Sequence, residues 1–251
     1  MDSQEGIRMS REATRFDAVV FAIAFGATVL SSAAIAAAPA ISVGSVRGGA
    51  GVYENFDSLA AAGGLSAKGI KVTFSGTGAG TAALPDSSGH YAAPYLSAGS
   101  GKAFHNFHAD GPDATQYLTT GMGQVTLQLE DHNRYFGLLW GSVDDYNTLS
   151  FYDGNTLLFS FTGIDVDGGA NGNRGAGGTF YVNINSDTAF NKVVASSTNY
   201  GFEFDNVALA INPVAVSPVP EPEAYSLLMA GLALIGAIIR RRTITPATKA
   251  C

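Results

Sequence analysis

Residues 125–130, VTLQLE, alternate apolar and polar side chains without interruption. A period of two puts alternate side chains on opposite faces of a β-strand, so this stretch predicts a strand with one buried face. Residues 135–140, YFGLLW, are apolar on both faces and predict a central strand. Further strands are expected at residues 70–74, 148–152, 156–161, 179–184, 192–196 and 201–209.

Turn residues separate these segments, and Asp153-Gly154 is a hairpin signal. Eight or so short strands joined in this way predict an all-β domain, either a β-sandwich or a jelly roll. We expect its core to form from the large apolar side chains of the strands. The candidates are Phe136, Leu138, Trp140, Leu149, Phe151, Leu157, Phe159, Phe161, Phe202 and Phe204.

The composition limits what this domain can be. The 251 residues suit one domain with targeting segments, or at most two small domains. The one cysteine, Cys251, excludes a disulfide framework and a cysteine-ligated metal site. A net charge of −7 argues against nucleic acid as a partner, because nucleic acid requires a basic face.

The N-terminal segment has the features of a secretory signal peptide. Arg8, Arg11 and Arg15 precede an uncharged run at residues 18–30, and small residues follow it. We expect residues 1–36 to direct the chain to the Sec machinery and to be removed by signal peptidase, which cleaves after Ala36. The alternative is a retained anchor helix, for which the apolar run is short.

The C-terminal segment carries a second apolar run, at residues 224–239, which predicts one short transmembrane helix. Arg240, Arg241 and Arg242 follow it and would hold the C-terminus in the cytoplasm. The predicted organisation is therefore an exported β-domain at 37–213, a linker at 214–219, the helix with its arginine cluster, and a cytoplasmic tail at 243–251. The alternative for the apolar run is a buried core helix.

The residues just before this run have a distinctive order. Val219-Pro220-Glu221-Pro222 is followed by the apolar helix and then by the arginine cluster, and the two prolines favour an extended, accessible backbone. This order resembles the PEP-CTERM sorting signal over residues 220–242. The resemblance implies an exported protein of an exopolysaccharide-producing Gram-negative bacterium, anchored transiently in the inner membrane and cleaved by the peptidase exosortase. Residues 135–152 and 181–206 also resemble a group of exosortase-sorted surface proteins, which implies no particular activity.

Two sets of polar residues are candidate ligand sites. Trp140, Asp144 and Tyr146 would combine an aromatic platform with a carboxylate, as glycan sites do, whereas the simpler interpretation of Asp144-Asp145 is a turn. Glu54, Asp57 and Asp205 would bind a structural calcium ion if the first and last strands lie side by side, an arrangement similar to that of carbohydrate-binding jelly rolls. The acidic loop at residues 165–173 is a weaker calcium candidate, because no glutamate closes it. Gly168–Gly178 is expected to be a mobile surface loop.

The functional hypotheses follow from these features. The first is a non-enzymatic protein of the cell surface or the exopolysaccharide matrix, with a structural or matrix-binding role. The second is a lectin-like module that binds a glycan and a structural calcium ion, which an exposed Trp140 would favour and a buried one would weaken. A secreted hydrolase is the third, and the lack of a recognisable nucleophile, metal site or acid–base pair argues against it.

Overall fold

The computed structural model describes residues 37–44, 51–96, 111–215 and 228–235. Most of its regular structure is β-strand; the helical parts are a short helix, α1 (Gly163–Val166), a 3₁₀ turn at Ala176–Gly178, and residues 228–235. The strands in chain order are β1 (Ala40–Val43), β2 (Val52–Glu54), β3 (Gly64–Leu65), β4 (Lys71–Gly76), β5 (Gly80–Ala82), β6 (Tyr95–Leu96), β7 (Gly111–Pro112), β8 (Tyr117–Thr120), β9 (Gly123–Gly141), β10 (Asn147–Asp153), β11 (Thr156–Thr162), β12 (Phe180–Ser197) and β13 (Phe202–Ala210). The prediction of a β-rich domain is confirmed.

The strands form one large antiparallel sheet. Its path runs β11-β10-β12-β9-β13-β8-β5, with β1 beside β12, β2 beside β13, and β4 beside β9. The short strand β3 pairs with β4, and β6 and β7 form a separate pair. The strand β2 thus lies next to the last strand, with Glu54 opposite Val207.

Two long strands organise the sheet. The sequence predicted two strands within Gly123–Gly141 and two within Phe180–Ser197, but each range is a single strand, β9 and β12. Their register shifts on both sides of Phe190, where the pairing is interrupted. The first half of β9 pairs with β4 and the second half pairs with β13. The long strands therefore join two parts of the sheet, which we call its wings: one contains β4 and the first half of β9, and the other contains β13 and the second half of β9.

Both wings contribute to one hydrophobic core. Val125 and Leu127 come from the first half of β9, and Phe136, Leu138 and Trp140 come from the second half. The core prediction is confirmed for seven of the ten candidates, which are fully buried: Phe136, Leu138, Trp140, Leu149, Phe151, Phe202 and Phe204.

The remaining three core candidates lie in β11. Phe159 and Phe161 are partly buried against the core. Leu157 is 54% exposed, so its assignment to the core was wrong. A register shift between β10 and β11 pairs Tyr152 with Leu157 and Phe151 with Phe159, and Leu158 packs against the core instead. This irregularity breaks the period of two on which the prediction relied.

The segments 84–96 and 111–117 cover the second face of the sheet. Their backbones are joined where the Asp113 amide donates to the Pro94 carbonyl over 2.7 Å. Beneath them Leu139 and Tyr181 form a small cluster with Leu96. The side chains of Glu203 and Asp205 also point to this covered face, because Phe202 and Phe204 occupy the core face of β13. Both carboxylates are consequently buried.

Several predicted segments lie outside the described residues. They are the signal peptide at 1–36, the motif Val219–Pro222, the cluster Arg240–Arg242, the tail at 243–251, and most of the linker at 214–219. Residues 228–235 of the predicted span are helical, with exposed side chains. Across the ranges that the structure describes, there is no helix with the length and apolar character needed to cross a membrane.

Candidate functional site

A polar pocket opens on the covered face of the sheet. It contains about 520 Å³ of space between atoms, part of it open to solvent. Four segments line it: residues 89–91, the turn at 142–146, the glycine-rich loop at 171–174, and residues 200–203 at the start of β13. The pocket therefore brings together parts of the chain that are far apart in sequence.

Glu203 lies at the bottom of this pocket and is 1% exposed. Its Oε1 accepts a hydrogen bond from the Ala92 amide at 3.2 Å, whereas its Oε2 has no partner among the described residues. Burial raises the pKa of this carboxyl from 4.5 to about 8, and the hydrogen bond from Ala92 and the charge of Arg174 oppose that rise only in part. Burial therefore favours the neutral form of Glu203, which can donate a proton or a hydrogen bond.

Asp144 and Tyr146 line the same pocket. Asp144 Oδ1 accepts a hydrogen bond from the Asp145 amide at 2.9 Å, and the Asp144 carbonyl accepts one from the Asn147 amide at 3.2 Å, which is ordinary turn chemistry. The Tyr146 hydroxyl donates to the Tyr200 carbonyl at 2.7 Å, and burial raises its pKa. Two of the three predicted glycan-contact residues thus share one site, while their role in binding stays a prediction.

Trp140 does not belong to this site. It is 0% exposed and stacks on Phe202 inside the core, with ring centroids 4.5 Å apart. The alternation along β9 sends Phe136, Leu138 and Trp140 to the same interior face. The assignment of Trp140 to the core is confirmed, and its burial weakens the lectin-like hypothesis, which an exposed Trp140 would have favoured.

The glycine-rich loop forms one wall of the pocket instead of standing free. The Gly172 amide donates to the Val143 carbonyl at 3.0 Å, and the Val143 amide donates to the Gly178 carbonyl at 3.1 Å. Gly172 has φ +66°, and a Cβ at this position would collide with Asp144 Oδ2. The loop contributes the exposed Arg174 to the pocket. The sequence predicted a mobile surface loop and did not predict this contribution.

The predicted calcium residues have separate environments. Both carboxylate oxygens of Glu54 accept backbone hydrogen bonds, from Phe56 at 2.9 Å and from Lys68 at 2.8 Å. Asp57 is exposed and accepts a short hydrogen bond from Asn55. Asp205 is 1% exposed, and burial is the largest of the causes that raise its pKa. Glu54 therefore anchors a loop, whereas Asp205 is buried on the covered face of β13.

Asp165, in the weaker calcium candidate at residues 165–173, is also engaged elsewhere. Asp165 accepts hydrogen bonds from the amide and hydroxyl of Thr162, at 2.7 and 2.9 Å, in the capping box of α1. Within the described ranges, no three His, Cys, Asp or Glu side chains are grouped so as to hold a metal ion.

Comparison with known families identifies the C-terminal segment. Residues 218–242 match the family model described as the PEP-CTERM protein-sorting motif. The chain carries a PEP-CTERM sorting motif. The match includes the predicted Pro-Glu-Pro motif, apolar run and arginine cluster, and it implies processing by exosortase. Neither the curated proteins nor the solved structures include a match to the chain.

Proposed function

We propose that the chain is an exported, exosortase-processed protein of the cell surface or the exopolysaccharide matrix. Its β-domain, folded as a sandwich around the core shared by the two wings, has a non-catalytic structural or matrix-binding role. The observation that carries the proposal is the PEP-CTERM motif at residues 218–242, which suggests export and a surface or extracellular location. The acidic charge of the chain, −7, suits solubility in such a setting.

In this proposal the precursor passes through three steps. The Sec machinery and signal peptidase act on residues 1–36, the apolar run at 224–239 holds the chain briefly in the inner membrane, and exosortase cleaves near Pro220-Glu221-Pro222. The two prolines support the last step, because they exclude regular helix and leave an extended backbone for a peptidase.

The test is the intact mass of the protein from its own bacterium, measured in each cell fraction. We expect a mature chain that ends near residues 219–222 and lies outside the inner membrane. Replacement of Pro220, Glu221 and Pro222 by alanine should leave the precursor in the membrane, whereas the upstream control Pro213→Ala should be processed normally. A wild-type chain that still ends at Cys251 in the inner membrane would contradict the proposal.

A second candidate function is glycan binding in the pocket of Glu203. The support is the convergence of Asp144, Tyr146, Arg174 and Glu203 on one cavity. A carboxylate, a guanidinium and a neutral acid can donate and accept hydrogen bonds with several sugar hydroxyls at once. An acid of raised pKa near a second carboxylate is also the pairing used in glycoside hydrolysis, so the test must separate binding from catalysis.

Two glycine variants make this test specific. Gly172→Ala would put a Cβ into the pocket against Asp144. Gly154→Ala is the control, because Gly154 also has a positive φ, +56° against +66° at Gly172, but no atom lies within 4 Å of the added Cβ. In calorimetric titration with oligosaccharides from the exopolysaccharide of the same bacterium, we expect binding to be lost in Gly172→Ala and retained in Gly154→Ala. Equal binding by both variants would remove the pocket from consideration. Release of new reducing ends from the sugar would show a hydrolase and contradict the non-catalytic role.

A further inference from the structure

A second cavity opens beside the pocket of Glu203. It contains about 500 Å³ of space between atoms, part of it open to solvent, and it is lined by residues 78–81 and Thr119. Three further residues, His90, Tyr91 and Tyr200, line both this second cavity and the pocket of Glu203. The two cavities are therefore neighbours, and these three residues form the wall that they share.

The ring of Tyr200 is held in position within this shared wall. It meets the ring of His90 edge to face, with centroids 4.8 Å apart. On the side of the Glu203 pocket, the Tyr146 hydroxyl donates to the Tyr200 carbonyl at 2.7 Å. The ring also lies against the backbone of Gly78, which lines the second cavity, and of Gly121, and a Cβ at either glycine would collide with it. The wall thus has a defined place between two open spaces.

The floors of the two cavities are adjacent in the sheet. Thr119 of β8 lies directly opposite Glu203 of β13, and Gly80 of β5 lies directly opposite Thr119. Such opposite residues of antiparallel strands project to the same face, with Cβ atoms about 5 Å apart. Gly80 leaves the space above its strand open, since a Cβ there would have no atom within 4 Å. One row of residues across three strands therefore forms the floor of both cavities.

Thr119 carries a hydroxyl group that has no partner in the fold. It is 4% exposed, and its Oγ1 accepts and donates no hydrogen bond among the described residues. A hydroxyl removed from water without a partner is destabilising, so this group requires an explanation. A ligand hydroxyl in the second cavity would supply the partner. The described residues that line this cavity include no Asp, Glu, Lys or Arg, which suits an uncharged, hydroxyl-bearing ligand.

We propose that the two cavities form one site for a glycan chain, with one sugar ring over Glu203 and a second, uncharged ring over Thr119 and Gly80. This inference rests on the glycan binding proposed for the Glu203 pocket and extends it from one sugar to at least two linked rings. The site also gives the chain a direction, because the first cavity carries the charges of Asp144 and Arg174 and the second is uncharged.

The test compares glycans of different length on the full chain, purified in a detergent that carries no sugar. Fractions of one, two and four sugar rings, prepared from the exopolysaccharide of the same bacterium, are titrated in calorimetry. Two and four rings should bind about tenfold more tightly than one, because the second ring makes hydrogen bonds of its own. Equal affinity for one and two rings would overturn the two-ring site and leave the glycan function standing, whereas no binding of any fraction would overturn both.

Gly80→Val should close the second cavity and leave the first one unchanged. The valine side chain enters open space on the cavity floor, and a β-branched residue suits a strand. The affinity for two rings should fall about tenfold, to that of a single sugar. The matched control is Gly51→Val, at an exposed glycine outside both cavities where the nearest atom to an added Cβ is 4.0 Å away, and it should bind as the wild type does. Unchanged two-ring affinity in Gly80→Val would overturn the proposal.

Thr119→Val tests the same cavity with a side chain of nearly the same size. Because the hydroxyl has no partner in the fold, its removal should leave the unfolding temperature unchanged or raise it. The two-ring affinity should nevertheless fall about threefold to tenfold, while the single sugar binds as before. Gly172→Ala, in the first cavity, should weaken every fraction. Two-ring binding that is unchanged in Thr119→Val would contradict the contact with the second ring.

Discussion

Glu203 and Asp205 differ in environment although they stand two residues apart on the same face of β13. Both are 1% exposed, and burial is the largest cause of the raised pKa of each. Glu203 lies at the bottom of an open pocket, with the positive charge of Arg174 acting on it. Asp205 is covered by a segment that brings a second buried carboxylate, Asp113.

This difference shows that the covering segments, not the strand, determine the chemistry of each acid. The alternation of β13 puts both side chains on one face, with Phe202 and Phe204 on the other. Where the cover leaves a gap, the acid can meet a ligand from solvent. Where the cover is closed, as over Asp205, the acid is shielded from solvent.

The largest expected effect comes from the opposite face of the same strand. Phe204→Ala should lower the free energy of unfolding by about 3–5 kcal/mol, because it leaves a cavity in the core. The loss should be the same at pH 5.5 and 8.5, as no titratable group is removed. Chemical denaturation measures it, with Leu157→Ala as the control, since the exposed Leu157 should cost less than about 0.5 kcal/mol. A strongly pH-dependent loss in Phe204→Ala would mean that the two faces of β13 are coupled.

An intermediate effect is expected from Glu203→Gln. This substitution removes the ionisable carboxyl of Glu203 and leaves that of Asp205 in place, so it isolates the contribution of Glu203 to the pH dependence of stability. A carboxyl whose pKa is about 8 in the folded state and 4.5 when unfolded stabilises the fold at low pH, and this stability is lost as the pH rises toward 8. Between pH 5.5 and 8.5 this one group should cost the wild type about 3 kcal/mol.

Relative to the wild type, Glu203→Gln should therefore gain about 3 kcal/mol of stability between pH 5.5 and pH 8.5, and it should already be slightly more stable at pH 5.5, which lies above the pKa of the unfolded state. The measurement is denaturant unfolding at both pH values. His90, Asp144, Tyr146 and Arg174 also line the pocket, and they remain in the variant. An unchanged pH slope would show that Glu203 is ionised in the folded protein.

The smallest effect is expected from Arg174→Ala. Arg174 is exposed, so its removal should change the stability by less than about 0.5 kcal/mol. The pKa of Glu203 should nevertheless rise, since the Arg174 charge lowers it, and NMR titration of the Glu203 carboxyl carbon measures this. Arg134→Ala, exposed on β9, is the control and should leave that pKa unchanged. A fall in the pKa of Glu203 would contradict the described electrostatics.

The sequence predicted the strands that have a regular alternation and missed those that do not. Residues 125–130 and 135–140 were correctly assigned to strand, but their continuity in β9 was not predicted, because the polar residues between them resemble a turn. The strands β1, β2, β5 and β8 have three or four residues each, too few to show a period. Their pairing depends on distant parts of the sheet.

The candidate site was predicted only in part, for a related reason. Asp144 and Tyr146 were recognised because they follow a tryptophan-bearing strand, and both line the pocket. Glu203 was missed because the acids of β13 alternate with Phe202 and Phe204. The same alternation is expected of a strand whose polar face is exposed to solvent, so it gives no sign that the acids are buried. The segments that bury it, 84–96 and 111–117, have no periodic signal of their own. The burial of a β13 carboxyl group by such a segment can be recognised only when the fold is known.

The pairing of β2 with β13 also bears on the timing of export. Tyr53 in β2 lies opposite Ala208 in β13. In a chain translocated from its N-terminus, β2 therefore cannot pair until β13 has also been translocated. Contacts of such long sequence separation form slowly, and an incomplete chain offers no substitute partner. The sorting motif begins at residue 218, shortly after β13 ends at Ala210. Such a chain would therefore lack the pairing of β2 with β13 through most of its translocation, and would complete its sheet only as the sorting motif reaches the membrane.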